Sequence, residues 1–274
     1  MVAPEMTDQK ARAPVIKNRP ADHEFVVLAF GESPFLRECV GSLKKQTVPS
    51  RITIATSTPN DFIFEVAADT GLDVLVNPTR AGIAADWNFA LGLTESRLVT
   101  LAHQDDVYHP DFLARTLAAL AQEDGVLCFT GYQEIADDGA PRSSNISRVK
   151  HLIEWLVLGR KTRVSGRRLK CFLSFGNPLP CPAVTYDTRK LPGFQFSSEF
   201  SSNLDWDAWW RLMSAGAAFV RVPERLVFRR HNDLTETSRL LRSGVRRSED
   251  KLMFSRAWPR PVSDLIARFY RLAG

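Results

Sequence analysis

Apolar and polar positions along this chain form short blocks whose period alternates between that of a strand and that of a helix. Apolar runs rich in β-branched residues predict buried strands at 25–30, 51–56, 74–76, 98–102 and 126–133. Apolar residues three and four positions apart predict helices between them at 35–46, 62–68, 84–93 and 112–120. This alternation predicts an α/β fold with a mostly parallel sheet wrapped by helices.

The second half of the chain is less regular. It predicts short strands at 183–187, 219–222 and 226–228, and a helix over 202–215 that Gly216 ends. The turn at 137–139 is of the kind that joins hairpin strands, and the proline-rich stretch 175–182 predicts extended backbone. Two helical patches lie between 249 and 272, whereas 1–24 shows no periodicity and predicts a flexible tail.

One helical stripe allows two interpretations. Basic residues flank the stripe on both sides. Its apolar members, which have helical spacing, are Val149, Leu152, Ile153, Leu156 and Val157. We interpret the stripe as facing the core, and the alternative is a helix that lies on a membrane surface.

Composition narrows the possible locations. The chain has 274 residues, of which 44% are hydrophobic, enough for one large α/β domain with elaborations or a domain plus a small cap. No apolar run is long enough to span a membrane, and no signal-peptide core is present. The four cysteines form no CxxC pair, so we expect them to be small buried residues in a reducing cytoplasm.

Charge is distributed unevenly along the chain. Lys plus Arg against Asp plus Glu is 11 against 20 over 1–141, 9 against 1 over 142–170, and 13 against 6 over 221–274. The basic stretches are either ordinary solvated surface or attract anionic lipids, phosphate-bearing substrates or nucleic acid. Nucleic acid ranks last because these stretches contain no base-stacking module.

The run His103-Gln104-Asp105-Asp106 directly follows the predicted buried strand 98–102. Carboxylates at such a strand end lie at the carboxyl edge of an α/β sheet, where ligands usually bind. Two carboxylates beside an imidazole can hold a divalent cation that bridges a diphosphate. The alternative is that both aspartates favour the dipole of the next helix.

A tryptophan-rich helix start offers a second candidate site. Ser202 and Asp205 fit a capping-box-like start, and Asp207 and Arg211 have the spacing of an ion pair on a helix surface. Aromatic surroundings nevertheless raise the pKa of a carboxylate and can make it a usable base. His231 follows the last strand, where it is either structural or joins the Asp105 site in space.

From residue 25 to about 231, the order of these elements resembles that of family 2 glycosyltransferases with the GT-A fold. In such enzymes a first helix ends in Gln-Thr, here Gln46-Thr47, and a Gly-x5-Asn element follows, here 82–88. A strand then ends in a metal-binding Asp-x-Asp, matched by His103-Gln104-Asp105.

The later motifs of the family are matched in the same order. A Glu-Asp pair opens a tryptophan-rich helix that ends in Arg-Leu, matched by Leu204-Asp205 and Arg211-Leu212. A last strand leads to Arg-x-His, matched by Arg229 and His231. The string 101–108 and the closing Trp258-Pro259 resemble one bacterial subgroup that acts in surface polysaccharide assembly.

Carried over residue by residue, the resemblance implies three roles. Asp105 holds Mg²⁺ or Mn²⁺ on the diphosphate of a nucleotide-sugar, and His231 supports the metal or the leaving diphosphate. Asp205 is the general base that deprotonates an acceptor hydroxyl for inverting displacement. Asp205 takes the motif position, whereas Asp207 has Arg211 as a partner.

The resemblance also assigns binding positions around these groups. Donor and nucleotide binding falls to Phe30, Glu32, Thr56, Asn88, His103, Gln104 and Asp105. Acceptor or secondary roles fall to Asp106, Trp206, Asp207 and Arg229. The sequence departs from the family in two places: His103 replaces the first Asp of the metal motif, and the second strand ends in Ala55-Thr-Ser-Thr-Pro59 without a base-reading carboxylate. UDP-, dTDP- and GDP-linked donors therefore stay open.

Together these inferences predict a tail at 1–24, a GT-A domain at 25–232 and a helical C-terminal extension at 233–274. The donor half of the domain is about 25–140 and the acceptor half about 141–232. The expected function is metal-dependent, inverting transfer of a sugar to a glycan or lipid-linked acceptor in the cytoplasm, with peripheral contact at the inner face of the membrane left open. The alternatives are a non-catalytic nucleotide-sugar or membrane-surface binding subunit and a nucleotidyltransferase.

Overall fold

A computed structural model describes residues 22–142, 144–230 and 244–273. His231 and most of the predicted tail lie outside these residues. The strands are β1 (His23–Ala29), β2 (Arg51–Thr56), β3 (Asp73–Val76), β4 (Leu98–His103), β5 (Val107–Tyr108), β6 (Leu127–Ile135), β7 (Pro141–Arg142), β8 (Arg163–Val164), β9 (Val184–Asp187) and β10 (Phe219–Arg230). The helices are α1 (Leu36–Lys44), α2 (Asp61–Thr70), α3 (Ile83–Gly92), α4 (Phe112–Gln122), α5 (Asn145–Leu158), α6 (Gly166–Leu173), α7 (Leu204–Ser214), α8 (Val245–Ser255) and α9 (Arg260–Ala273).

The strands form one sheet in the order β3-β2-β1-β4-β9-β6-β10-β5. Strands β3, β2, β1 and β4 are parallel, as are β6 and β10, whereas β9 runs antiparallel between β4 and β6. The predicted mostly parallel α/β sheet is confirmed, and the 137–139 turn joins β6 to β7 as the predicted hairpin.

Helices cover both faces of the sheet, which explains why its central strands are mostly apolar. Phe25 and Val27 of β1 pack with α1, α2 and α4 on one face. Val26 packs on the other face, in a cluster that includes Trp209 of α7 and Phe254 of α8. The C-terminal helix α8 therefore belongs to the same packed unit as the sheet.

The last strand is a single element where the sequence predicts two. β10 pairs with β6 along its length, and its register shifts between Val222 and Val227. Pro223 lies in this irregularity, because proline has no N–H to donate to a ladder. Gly131 of β6 lies opposite, where a Cβ atom would come within 3.0 Å of the carbonyl oxygens of Pro223 and Glu224. The bulge thus interrupts the apolar pattern without ending the strand.

The core-facing interpretation of the α5 stripe is wrong for three of its members. Val149, Leu152 and Leu156 are exposed, and only Ile153 and Val157 pack partly against the core. Helical spacing places these residues on a common side of the helix but does not determine what that side contacts. One cysteine also departs from expectation, since Cys171 is exposed while Cys39, Cys128 and Cys181 are buried.

No helix among the described residues is both long enough and apolar enough to cross a bilayer.

Candidate active site

A cavity of about 640 Å³ opens at the carboxyl ends of β1, β2 and β4. All three strand ends supply polar groups to it, and the start of α7 contributes Asp205. Because parallel strands end at the same edge of a sheet, residues far apart in sequence meet here. Asp105 and Asp205 both line this one cavity.

Asp105 projects from the turn that follows β4. Its Oδ1 accepts a hydrogen bond of 2.6 Å from the Ser33 hydroxyl, in the turn after β1. Burial raises the pKa of the Asp105 carboxyl, and the Ser33 hydrogen bond opposes that effect. Ser33 is a site residue that the sequence does not single out, although it lies in the Gly31-Glu-Ser-Pro turn.

Asp106 has a different environment from its neighbour. It is only 3% exposed, and its Oδ1 accepts the backbone N–H of Arg230 at 2.9 Å. Burial raises the pKa of the Asp106 carboxyl to about 7. The Arg230 guanidinium also donates to the carbonyl of Asp105 and pairs with Glu38 at 2.6 Å. Asp106 and Arg230 therefore hold the strand-end turn in place.

His103 ends β4 with a neutral ring. Burial, and to a smaller extent the nearby charge of Arg229, lowers the pKa of His103 to about 3. Its Nε2 atom is buried and has no hydrogen-bond partner among the described residues. The ring lies 5.3 Å from that of Trp87. A buried polar atom without a partner is costly, so this nitrogen is available to a ligand in the cavity.

Gln104 and Phe30 tie the ends of β4 and β1 together. The Phe30 N–H donates to Gln104 Oε1 at 3.0 Å, and Gln104 Nε2 donates back to the Phe30 carbonyl at 2.9 Å. The Phe30 side chain stays 47% exposed at the cavity, with the Arg80 guanidinium 5.4 Å from its ring centroid. Phe30 therefore offers a flat apolar surface at the donor side, and Arg80 adds a positive charge that the sequence does not predict.

The end of β2 has no carboxylate in its own sequence, but Asp86 of α3 lies beside it. Asp86, in the first turn of α3, accepts hydrogen bonds of 2.9 Å from Ser57 Oγ and from Asn77 Nδ2. Asp86, Ser57 and Asn77 all line the cavity. The signal in the sequence is the position of Asp86 in a first helical turn, but its partner strand is not evident there.

The other predicted donor-side residues divide into two groups. Glu32 and Thr56 line the cavity. Asn88 does not, since its amide bonds to the backbone of Phe196 in both directions, at 2.7 and 2.9 Å. Asn88 thus joins α3 to the backbone at Phe196.

Asp205 lies in the first turn of α7 and is 9% exposed. Burial raises the pKa of its carboxyl, while a hydrogen bond from the Asn177 side chain opposes the shift. The Trp206 N–H also donates to Asp205 Oδ1 at 2.9 Å. A carboxylate that is buried, yet lines a cavity, is a suitable proton acceptor for a bound hydroxyl.

The predicted capping-box-like start of this helix is wrong. Asn203 occupies the N-cap position without a side-chain cap, and Ser202 Oγ has no partner among the described residues. The carboxylate of Glu249, on α8, instead accepts the backbone N–H groups of residues 201–203 at 2.7–3.0 Å. A residue 44 positions beyond Asp205 therefore fixes the backbone that presents it.

Trp206 and Asp207 face away from the cavity. Trp206 is fully buried and donates its indole N–H to the Leu173 carbonyl at 2.9 Å. Asp207 is 1% exposed and pairs with Arg211 at 2.8 Å and with Arg256 at 2.7 Å. The predicted ion pair between Asp207 and Arg211 is present. The Asp207 carboxylate is buried, however, and it also pairs with Arg256, which directly follows α8.

Three further cationic side chains line the cavity on the Asp205 side. Arg229 is one that the sequence predicts; Lys150 of α5 and Arg246 of α8 are not. The Lys150 ammonium lies 5.5 Å from the ring centroid of Tyr270 on α9. For Lys150 and Arg246, the sequence gives no indication beyond the basic character of the two segments that contain them.

Comparison with known proteins identifies the family. The model of "Glycosyl transferase family 2" matches residues 24–177. The chain belongs to glycosyl transferase family 2. No curated protein matches the sequence.

Solved structures of GT-A glycosyltransferases share the fold of this family 2 chain. TarS from S. aureus, residues 1–349 in complex with UDP-GlcNAc, has a TM-score of 0.62 at 15% identity, over 91% of this chain and 71% of that one. The mannosyltransferase PcManGT from Pyrobaculum calidifontis, in complex with GDP-Man and Mn2+, has a TM-score of 0.60 at 13% identity, over 95% and 73%. Glucosyl-3-phosphoglycerate synthase from Mycobacterium tuberculosis, in complex with Mn2+ and UDP-glucose, has a TM-score of 0.56 at 16% identity, over 86% and 79%.

The side chains at the end of β4 fit a divalent cation that takes few ligands from the protein. Asp105 offers a hard oxygen donor at the cavity, and the unpartnered His103 nitrogen is a possible neutral ligand. The described residues contain no group of three or more His, Cys, Asp or Glu side chains placed to hold a metal. A cation here would complete its shell with diphosphate oxygens and water, as Mg²⁺ commonly does.

Proposed function

We propose that this family 2 glycosyltransferase is a metal-dependent, inverting enzyme that moves a sugar from a nucleotide-sugar to a hydroxyl of a glycan or lipid-linked acceptor. The observation that carries the proposal is that Asp105 and Asp205, 100 positions apart in the sequence, line one cavity. One carboxylate is suited to the donor diphosphate and the other to the acceptor proton. The cytoplasmic location remains a prediction from the sequence.

The donor lies along the strand ends. Phe30 stacks on the nucleobase, Arg80 adds positive charge at the same ring, and Asp86 supplies the carboxylate that β2 lacks. Asp105 would hold Mg²⁺ or Mn²⁺ on the diphosphate, and the unpartnered Nε2 atom of His103 would be available to the same group. The cation supplies charge that stabilises the leaving nucleoside diphosphate.

Asp205 is the general base. Its raised pKa brings it closer to the value at which a carboxylate accepts a proton efficiently. It takes the proton of the acceptor hydroxyl while that oxygen attacks the anomeric carbon, on the face opposite the leaving diphosphate. The C–O bond to the acceptor forms as the bond to the diphosphate breaks, so the anomeric configuration inverts.

Arg229, Lys150 and Arg246 line the same cavity. The charges of Arg246 and Arg229 lower the pKa of Asp205 and so favour its ionised form, and all three cations are suited to the anionic groups of the bound substrates. The binding-subunit alternative keeps one supporting observation, the replacement of the first metal-motif aspartate by His103. The nucleotidyltransferase alternative has none now that the family is known.

Donor turnover tests the proposal. UDP-, dTDP- and GDP-sugars are screened with Mn²⁺ for an increase in melting temperature, since a bound ligand stabilises the folded state. We expect one donor class to stabilise the protein and to release its nucleoside diphosphate in a reaction that EDTA stops. NMR of the product should then show the inverted anomeric configuration. Stabilisation by a donor without any release would support the binding subunit instead.

A further inference from the structure

Helix α5 exposes an apolar face to solvent. Val149, Leu152, Trp155 and Leu156 are 49%, 54%, 68% and 65% exposed, and we call these four residues the α5 apolar face. Single exposed apolar residues are ordinary, but four on one side of one helix form a contiguous patch of the kind that marks an interaction site.

This exposure does not result from a helix that packs poorly. Leu158, on the inner side of α5, is fully buried, and Ile153 and Val157 pack against the larger hydrophobic cluster. One side of helix α5 therefore packs against the core, and a second apolar side is exposed to solvent.

The α5 apolar face is surrounded by positive charge. Segment 142–170 contains nine basic residues and one acidic residue. Eight of the nine basic residues are exposed; they are Arg142, Arg148, Arg160, Lys161, Arg163, Arg167, Arg168 and Lys170. The acidic residue, Glu154, pairs with Arg221 at 2.9 Å and so does not offset the surface charge.

The helix that packs beside α5 has the same character. On α9, Val262, Leu265 and Phe269 are 39%, 53% and 64% exposed and lie at i, i+3 and i+7. Arg260 and Arg268 are exposed on α9 as well. Helix α9 therefore shows the same combination as α5, an exposed apolar side with basic residues around it.

Charge decides which occupant fits this surface. A second copy of the chain would bring like charges against each other around a shared apolar patch. An anionic lipid bilayer accepts both components, because lipid phosphates pair with Arg and Lys while apolar side chains enter the acyl boundary. Trp155, the most exposed member of the face, is of the residue type enriched at the membrane–water interface.

We propose that the α5 apolar face docks on an anionic lipid bilayer, with the basic residues of 142–170 on the lipid phosphates. Lys150 of the same helix lines the catalytic cavity, so docking brings the Asp205 side of the cavity close to the lipid surface. The docking goes beyond the proposed reaction and is measured without it.

Vesicle sedimentation of the full chain tests the docking. Wild-type protein is mixed with vesicles of phosphatidylcholine alone or with phosphatidylglycerol added, at rising salt. We expect binding to the anionic vesicles that weakens as salt screens the charges, and weak binding to the neutral ones. The double variant Leu152→Glu/Trp155→Glu should lower the partition coefficient by about tenfold or more, since charges replace interfacial apolar groups. Arg167→Glu/Arg168→Glu should weaken binding to anionic vesicles only.

Phe64→Glu is the matched control, because Phe64 of α2 is 46% exposed but has no comparable basic surround. It should bind vesicles as the wild type does, and circular dichroism confirms that every variant is folded. Failure of the wild type to bind anionic vesicles at low salt would overturn the proposal, as would unchanged binding of the Leu152/Trp155 variant. A dimer in sedimentation velocity that this variant dissociates would assign the face to a second copy instead.

Discussion

Burial sets the protonation state of the key side chains around the cavity. Asp205 and Asp105 have raised pKa values, and His103 has a lowered one, because each charged form loses hydration there. Hydrogen bonds then oppose the shift at the two aspartates, through Asn177 at one and Ser33 at the other. These partner residues offset part of the effect of burial on the pKa of each carboxylate.

Asn177→Ala tests that control at the base. The Asn177 hydrogen bond favours ionised Asp205, so its loss raises the pKa of that carboxyl further. Only the ionised base accepts a proton, so activity rises with pH through this pKa and the acid limb of kcat/KM should move to higher pH. A hydrogen bond to a charged group is worth about 1.5–3 kcal/mol, which corresponds to a shift of about one pH unit or more.

The control for this variant is Asn145→Ala, an exposed asparagine that does not line the cavity. It should leave the pH profile unchanged. An Asn177→Ala enzyme whose activity drops equally at every pH would show that Asn177 positions a substrate and leaves the pKa of Asp205 alone.

At the scale of elements, helix α8 holds the segment that presents Asp205, the proposed base. Glu249 accepts three successive backbone N–H groups, those of residues 201–203, immediately before α7. Removing a buried acceptor leaves its donors unsatisfied. Helix α8 is therefore part of the architecture of the candidate site, although the sequence predicts it only as part of an extension.

Glu249→Ala should lower the free energy of unfolding in urea by about 1–3 kcal/mol, because three backbone donors, of which that of Asn203 is buried, lose their acceptor together. It should also lower kcat while the KM for the donor changes little. The reason is that Asp205 shifts, whereas the residues at the ends of β1, β2 and β4 stay in place. Glu199→Ala, at an exposed glutamate, should change neither quantity. Wild-type stability in the Glu249 variant would mean that water replaces the carboxylate.

The elements that the sequence predicts well are those whose pattern is local. β2 ends where predicted because residues 53–56 are buried and a turn follows. The predictions that fail depend on partners elsewhere in the chain. The α5 stripe has helical periodicity whether it faces core or solvent, and β10 continues past Pro223 only because β6 lies beside it. The start of α7 is likewise set by Glu249 rather than by its own Ser202.

On the scale of the whole molecule, the sheet order makes the site. Strand β9 lies between β4 and β6, and Asp105 and Asp205, 100 positions apart, share one cavity. The sequence supplies the motif positions of Asp105 and Asp205. It does not supply Lys150 or Arg246, because nothing local indicates that α5 and α8 close over the same edge.

The C-terminal helices should consequently be required for stability of the whole fold. Phe254→Ala removes a fully buried ring that packs 5.1 Å from that of Trp206, and should cost about 3–5 kcal/mol in urea unfolding. Phe269→Ala, at a ring that is 64% exposed, should change stability by less than about 0.5 kcal/mol. Equal effects of the two substitutions would mean that α8 and α9 are not part of the core.

The central claim is that Asp105 grips the donor and Asp205 takes the acceptor proton in one cavity. The direct measurement compares donor affinity by calorimetry, with Mn²⁺ present, and sugar transfer in the wild type, Asp105→Asn and Asp205→Asn. We predict that Asp205→Asn binds the nucleotide-sugar as the wild type does but transfers sugar at least about a hundredfold more slowly, since general base catalysis contributes about 10²–10⁴-fold. Asp105→Asn should lose the metal-dependent part of donor binding. Full transfer activity in Asp205→Asn would contradict the account.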